Sequence, residues 1–310
     1  MQKRKIWENF LQWVLPCVLL VIALVLSIYD FNNKMEIAIQ TVVDDQAEQI
    51  GLYYAAGVED KLKALGNITD AVASIMAARL DRGEAFLNEK LDTLMKASDA
   101  YMVVYCATNG TGFLNDRRQI DMTELNYYDS ILGETPHYLF TRSDGINGQM
   151  AFIYVCPITN SGNVNGYLLS YMEPAEMSDF FENSVYGDRA FFSLVDRNGT
   201  IMACYGATQG TKILQNDFWN SLKGVAESLG SWTLFDRQQQ KGDNGILHVN
   251  ENGVGKILCH FPIADTAWNL VVGIDESYLS GIQQSFRGPI VDLIVKISIS
   301  IAAALIVITV

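Results

Sequence analysis

The sequence predicts an α+β fold: a long N-terminal stalk helix, then two tandem modules built on antiparallel sheets, with a transmembrane helix at either end. Three observations predict it. Apolar positions recur at helical spacing between residues 34 and 80. After Ala100 the period falls from about 3.6 residues to about 2. A pattern first met near Val103 returns near Ser193, which marks an internal duplication.

Composition sets the outer bounds. The chain has 310 residues, 49% of them hydrophobic and 18% charged, which excludes a disordered segment. Its 24 glycines and 11% aromatics argue against a coiled rod. With 22 Lys+Arg against 35 Asp+Glu the net charge is −13, so no basic face for nucleic acid is expected.

The elements follow in order. Residues 9–29 carry no charge and are long enough for a helix crossing a hydrocarbon core of about 30 Å. Lys3, Arg4 and Lys5 precede them, so the positive-inside rule places residues 1–8 in the cytoplasm and 30–288 outside. Ser27-Ile28-Tyr29-Asp30 lacks the small-residue pattern of a cleavage site, and an uncleaved anchor is expected. Residues 289–310 begin a second span. The uncharged stretch after Lys296 reaches only about 21 Å, so the sequence is expected to be the front of a longer protein. Asp292 and Lys296, four apart, can pair on one helix face. The exterior between the spans carries a net −15, the mark of an exported acidic domain.

Residues 30–99 form the stalk. Val43, Ala47, Ile50, Tyr54, Val58, Leu62, Leu65, Val72, Ile75, Met76 and Leu80 fall in helical phase, while Gly51, Gly57 and Gly66 weaken the helix locally. A shorter helix is expected over Glu84–Ala97. One stalk face can dock on the domain and another on a second copy, so a homodimer is expected.

Residues 100–185 form the membrane-distal module. Strands are expected at 101–106, 112–114, 137–141, 149–156 and 167–171, with Asn109-Gly110 as a hairpin turn between the first two. Pro174 opens a helix through Phe181. Residues 186–288 form the proximal module. Strands are expected at 191–196, 201–205, 231–235, 245–249, 256–262 and 268–275, and a helix over 217–229. The stretch VVYCATNGTG (103–112) is echoed by SLVDRNGTIM (193–202), and 152–174 by 257–279.

This order resembles the double Cache ectodomain of bacterial receptors, built from two PAS-like (Cache) modules. The residues that carry the likeness are LNYYDSILGETPHYLF (125–140), AFFSLVDRNGTIMACYG (190–206) and CHFPIADTAWNLVVGIDESYL (259–279). The resemblance covers residues 31–285. It implies a sensor that binds a small solute in the distal module and signals to a cytoplasmic histidine kinase or diguanylate cyclase. It also implies a distal pocket walled by Tyr127 and Tyr128, with Tyr105, Phe140, Tyr154 and Tyr171 around them. Aromatics suit that task because they bury a small solute and keep a hydroxyl for orientation. The family's amino-acid binders place an Arg two residues before the aromatic pair, where this chain has Leu125. An α-amino acid is therefore not expected. Arg142, with Arg117 and Arg118, could face a carboxylate instead.

Other chemistry is not expected. The three histidines, His137, His248 and His260, lie outside metal-binding spacings, and no nucleotide or hydrolase motif occurs. No cofactor, metal or catalytic residue is assigned, and this segment is not expected to be an enzyme. Cys259 and His260 are adjacent on a strand, hence on opposite faces, so they make a poor dyad. Cys17 falls in the first anchor, and Cys106, Cys156, Cys204 and Cys259 are expected as free thiols on non-neighbouring strands. The alternatives are a chemotaxis receptor and a membrane-anchored binding or adhesion protein without output.

Overall fold

A computed structural model describes residues 2–79, 82–177, 180–181, 189–206 and 217–278, with 292, 295–297 and 299 beyond. Helix α1, Gln2–Ala77, runs through the first expected span and the stalk. Among the described residues no helix is long and apolar enough to cross a membrane, and most of 289–310 lies outside them. The chain divides into two units, one of residues 1–47 with 275–310, the other Glu48–Ile274. In the first, Lys34 pairs with Asp30 and Lys296 with Asp292, each four residues apart.

The second unit holds both sheets. Its part of α1 buries Tyr54, Ala55, Val58, Leu62, Leu65, Thr69, Val72, Ala73 and Met76. Ile75, expected in that stripe, is exposed instead. The three glycines receive aromatic rings. A Cβ on Gly51 would collide with Phe261, one on Gly57 with Phe180, and one on Gly66 with Tyr138 and Tyr154. Helix α2, Glu84–Ala97, buries Leu91 and Leu94.

The distal sheet comprises β1 (Met102–Ala107), β2 (Thr111–Leu114), β3 (Gln119–Asp121), β4 (His137–Thr141), β5 (Ala151–Asn160) and β6 (Asn163–Met172). Its order is β3-β2-β1-β6-β5-β4. A four-residue helix, α3 (Tyr128–Ile131), precedes β4. The proximal sheet comprises β7 (Ala190–Asp196), β8 (Ile201–Gly206), β9 (Gly245–Glu251), β10 (Val254–Pro262) and β11 (Trp268–Asp275), in the order β8-β7-β11-β10-β9. The pairings β1-β2, β2-β3, β1-β6, β5-β6, β4-β5, β7-β8, β7-β11 and β9-β10 are all antiparallel. Apart from the extra edge strand β3, the two orders coincide. The sequence echoes therefore fall on equivalent strands: β1-turn-β2 matches β7-turn-β8, and β5-β6 matches β10-β11. Gly110 and Gly199 occupy the same turn position with φ 85° and 87°, a region glycine enters without strain.

One element differs in kind from the sequence reading. Residues 231–235 are not a strand but lie inside helix α5, Leu229–Lys241, which follows α4, Phe218–Lys223. The Ser228 hydroxyl caps α5 by accepting from the Ser231 amide at 3.1 Å, and Gly242 closes it in the left-handed conformation. Trp232 and Phe235, three apart, are its buried residues. From Pro174 the chain makes a 3-10 turn, Pro174–Met177, and Phe180 and Phe181 are helical, while 178–179 lie outside the described residues.

Candidate ligand-binding site

Strand alternation separates the expected site residues into two sets. Met102, Val104 and Cys106 on β1 stand opposite Tyr171, Leu169 and Tyr167 on β6. These six join Ile153, Val155, Met122, Tyr127 and Ile131 in one cluster, with Tyr128 half-buried against it. Tyr127, Tyr128 and Tyr171 are thus brought together. Tyr105, Phe140 and Tyr154 fall on the opposite face, because successive strand residues point opposite ways. That face meets α1. Tyr154 donates to the Asp70 carboxylate at 2.9 Å, Tyr138 donates to the Leu62 carbonyl at 2.9 Å, and Thr69 and Ser170 hydroxyls lie 2.8 Å apart. The Tyr105 hydroxyl donates to the Asn165 carbonyl at 3.1 Å, and Phe140 packs on Phe152. Arg142 is exposed in the loop after β4.

Asp144 organises the loop between β4 and β5. It is fully buried. Its Oδ1 accepts from the amides of Ile146, Asn147 and Gly148 at 2.9, 2.7 and 2.8 Å, and its Oδ2 accepts the Tyr101 hydroxyl at 2.8 Å. Burial alone would raise its pKa, but those amides and the Tyr101 hydroxyl outweigh it and hold the carboxyl below its usual range. The Asp144 carbonyl accepts the Tyr127 hydroxyl at 2.7 Å, and Tyr127 lies 3.2 Å from the Tyr171 hydroxyl.

Outside this hub lies a cleft of about 530 Å³, lined by Arg118, Ile120, Asp121, Glu124, Leu125, Asn126, Ser143, Gly145 and Ile146. Its floor is mixed. Ile120, Leu125 and Ile146 supply apolar contact, and Arg118 is its cation. Asp116 already holds Arg118 at 2.6 Å. Asp121 accepts the Thr123 hydroxyl and amide at 2.6 and 2.9 Å, which lowers its pKa. Of the residues the sequence singled out, Arg118 lines this cleft, while Tyr105, Tyr127, Tyr128, Phe140, Arg142, Tyr154 and Tyr171 do not. The turn residues Asp144-Gly145 and Asn147-Gly148 were the signal that a shaped loop sat here.

The equivalent face of the proximal sheet is packed. Phe218, Leu222, Trp232 and Phe235 of α4 and α5 cover Phe191, Leu247, Val249, Leu258 and Val271. His260 lies under them, fully buried, its ring 4.5 Å from that of Phe235. Among the described residues neither of its ring nitrogens has a hydrogen-bond partner. Burial pushes its pKa down to about 4, against smaller opposing effects of the Phe235 backbone and the Asn269 side chain. Cys106, Cys156, Cys204 and Cys259 are free thiols. β6 separates the strands of Cys106 and Cys156, and β7 and β11 those of Cys204 and Cys259. Cys204 is exposed, and the other three are buried.

No protein-family model matches the sequence, and no curated protein does. Solved structures do. The ligand-binding domain of the Pseudomonas fluorescens chemoreceptor CtaA, in complex with L-isoleucine, superposes with TM-score 0.61 at 14% identity, covering 79% of this chain and 97% of that one. The extracellular domain of a proposed histidine kinase, rpHK1S-Z16, gives 0.59 at 16%, covering 78% and 98%. The ligand-binding domain of the Campylobacter jejuni chemoreceptor Tlp3, in complex with L-valine, gives 0.57 at 15%, covering 78% and 95%. This is the double Cache fold. Within it, the cleft lies beside the six-stranded sheet and the packed helices cover the five-stranded one.

Proposed function

We propose that the chain is the sensory part of a bacterial transmembrane receptor and that it binds a small solute in the distal cleft. The observation that carries this reading is the cleft itself, an opening of about 530 Å³ lined by both apolar and polar groups. The fold supports it, since the matched domains are sensors of a histidine kinase type and of chemoreceptors. In this reading 9–29 and 289–310 cross the membrane, 30–288 is extracytoplasmic, and two copies pair along α1. The output is a histidine kinase or diguanylate cyclase. CtaA and Tlp3 favour a chemotaxis output as the second reading.

The cleft also bears on the solute. Leu125 offers no fork to an α-carboxylate, and a carboxylate reaching Arg118 must displace Asp116. Arg142 is exposed and does not line the cleft. Binding is tested on the purified chain by a thermal-shift screen of the L-amino acids, simple amines and dicarboxylates. At a hundredfold excess over Kd a true ligand adds about 2.7 kcal/mol, a shift of roughly 5 °C or more. Ile146→Trp pushes an indole into the cleft and is expected to abolish the shift. A shift that survives this substitution overturns the cleft as the site.

A further inference from the structure

We propose that Asp144 is the positioning residue of the distal cleft: it does not touch the solute, but builds the wall that does and fastens that wall to β6. The occupant of the cleft rests on the sensing reading above; the wall does not. Asp144 sits between Ser143 and Gly145, and both of these line the cleft, as does Ile146. Its own side chain turns inward and is fully buried.

All of its polar atoms are committed. The carboxylate holds three backbone amides and the Tyr101 hydroxyl, its amide donates to the Gln149 carbonyl at 2.8 Å, and its carbonyl holds Tyr127. A buried carboxylate with this many donors cannot swing into the cleft without leaving them unpaired, and that cost far exceeds one new contact. Gly145 and Gly148, with φ of 70° and 78°, let the chain wrap around it. A Cβ on Gly145 would stand 2.6 Å from Leu125, so the wall also sets the distance to the opposite side of the cleft.

The fastening runs inward. Tyr127 bridges the Asp144 carbonyl to the Tyr171 hydroxyl, and the Tyr101 amide donates to the Tyr171 carbonyl at 2.9 Å. Tyr171 lies on β6 beside Ser170, whose hydroxyl meets Thr69 of α1. Displacing the wall therefore disturbs a strand that contacts α1 on its other face.

Hydrogen exchange on the full chain tests the assignment without a solute. In Asp144→Ala, the amides of Ile146, Asn147 and Gly148 are expected to exchange more than about tenfold faster, while those of β10 stay unchanged. Asp144→Asn keeps the Oδ1 acceptor and is expected to restore most of that protection. If Asp144→Ala does not fold, Tyr101→Phe removes one bond and is expected to speed the same three amides about fivefold. Unchanged exchange at these amides, an Asn variant no better than Ala, or equal loss at β10 overturns the proposal. A solute found in the screen should lose its thermal shift in Asp144→Ala and regain it in Asp144→Asn. Failure of the screen alone refutes the sensing reading and leaves the wall standing.

Discussion

The two modules share a strand order and differ in what closes them. In the proximal module, β9 and β10 join through a tight turn at Asn252-Gly253, and α4 and α5 lay Phe218, Trp232 and Phe235 on the sheet. In the distal module, β4 and β5 are joined by the long loop 142–150, and the cover before β4 is the four-residue α3. The long loop, coiled on Asp144, borders a cleft, whereas α4 and α5 cover the sheet face they pack on. The difference teaches that one duplicated scaffold carries an open loop or a helical cover according to which connection is lengthened.

The largest expected effect breaks the support. Phe235→Ala opens a cavity in the proximal core and should cost about 3–5 kcal/mol in a denaturant melt. Ile146→Trp in the distal cleft should cost far less, because the cleft is open. Equal losses would erase the distinction between a filled and an open module.

A second effect uses acid. His260 titrates near 4 in the folded chain and near its ordinary 6.5 when unfolded. Above pH 6.5 both states hold it neutral, and its contribution is fully present. As pH falls from 6.5 towards 4 the unfolded chain takes up a proton that the folded chain refuses, so stability drops. The loss should approach about 3 kcal/mol, measured as the difference between wild type and His260→Phe over that window. A difference that does not change with pH would show that His260 is not the buried base described here.

The smallest effect concerns the helix notches. Gly51→Ala drives a methyl into the Phe261 ring and should cost about 1–3 kcal/mol. Gly66→Ala stands 2.9 Å from the Tyr138 hydroxyl, the far end of a side chain, and alanine's helix preference of about 1 kcal/mol should offset much of the strain. Chemical melts of the two variants rank them. The reverse order would mean that the distal grip is the tighter one.

Much of this architecture was legible in the sequence. Ten of the strands show as alternation or apolar runs, and the duplication shows as an echo with matching Asn-Gly turns. The misreading at 231–235 has a physical cause. Ser231-Trp232-Thr233-Leu234-Phe235 satisfies both a strand and a helix pattern over so short a window, and only the Ser228 cap and Gly242 decide it. The three-residue edge strand β3 is too short to show a period. The site was legible only as a neighbourhood. Tyr127 and Tyr128 lie beside the cleft, but Tyr105, Phe140 and Tyr154 could not be assigned a face without the register. Asp144 escaped notice because a buried carboxylate is recognised by its donors, and three of those are backbone amides that no sequence pattern displays.

The stalk glycines, weak points when read as helix formers, have a mechanical meaning. Three sockets at Gly51, Gly57 and Gly66 hold rings from the proximal strand β10, from the linker at Phe180 and from the distal strands β4 and β5. A helix that slips by one residue also turns by about 100°, which would carry every socket off its ring at once. Within this unit the helix is thus indexed like a camshaft with three lobes. Small displacements are resisted in concert, and any movement that succeeds must be a discrete step felt by both sheets together.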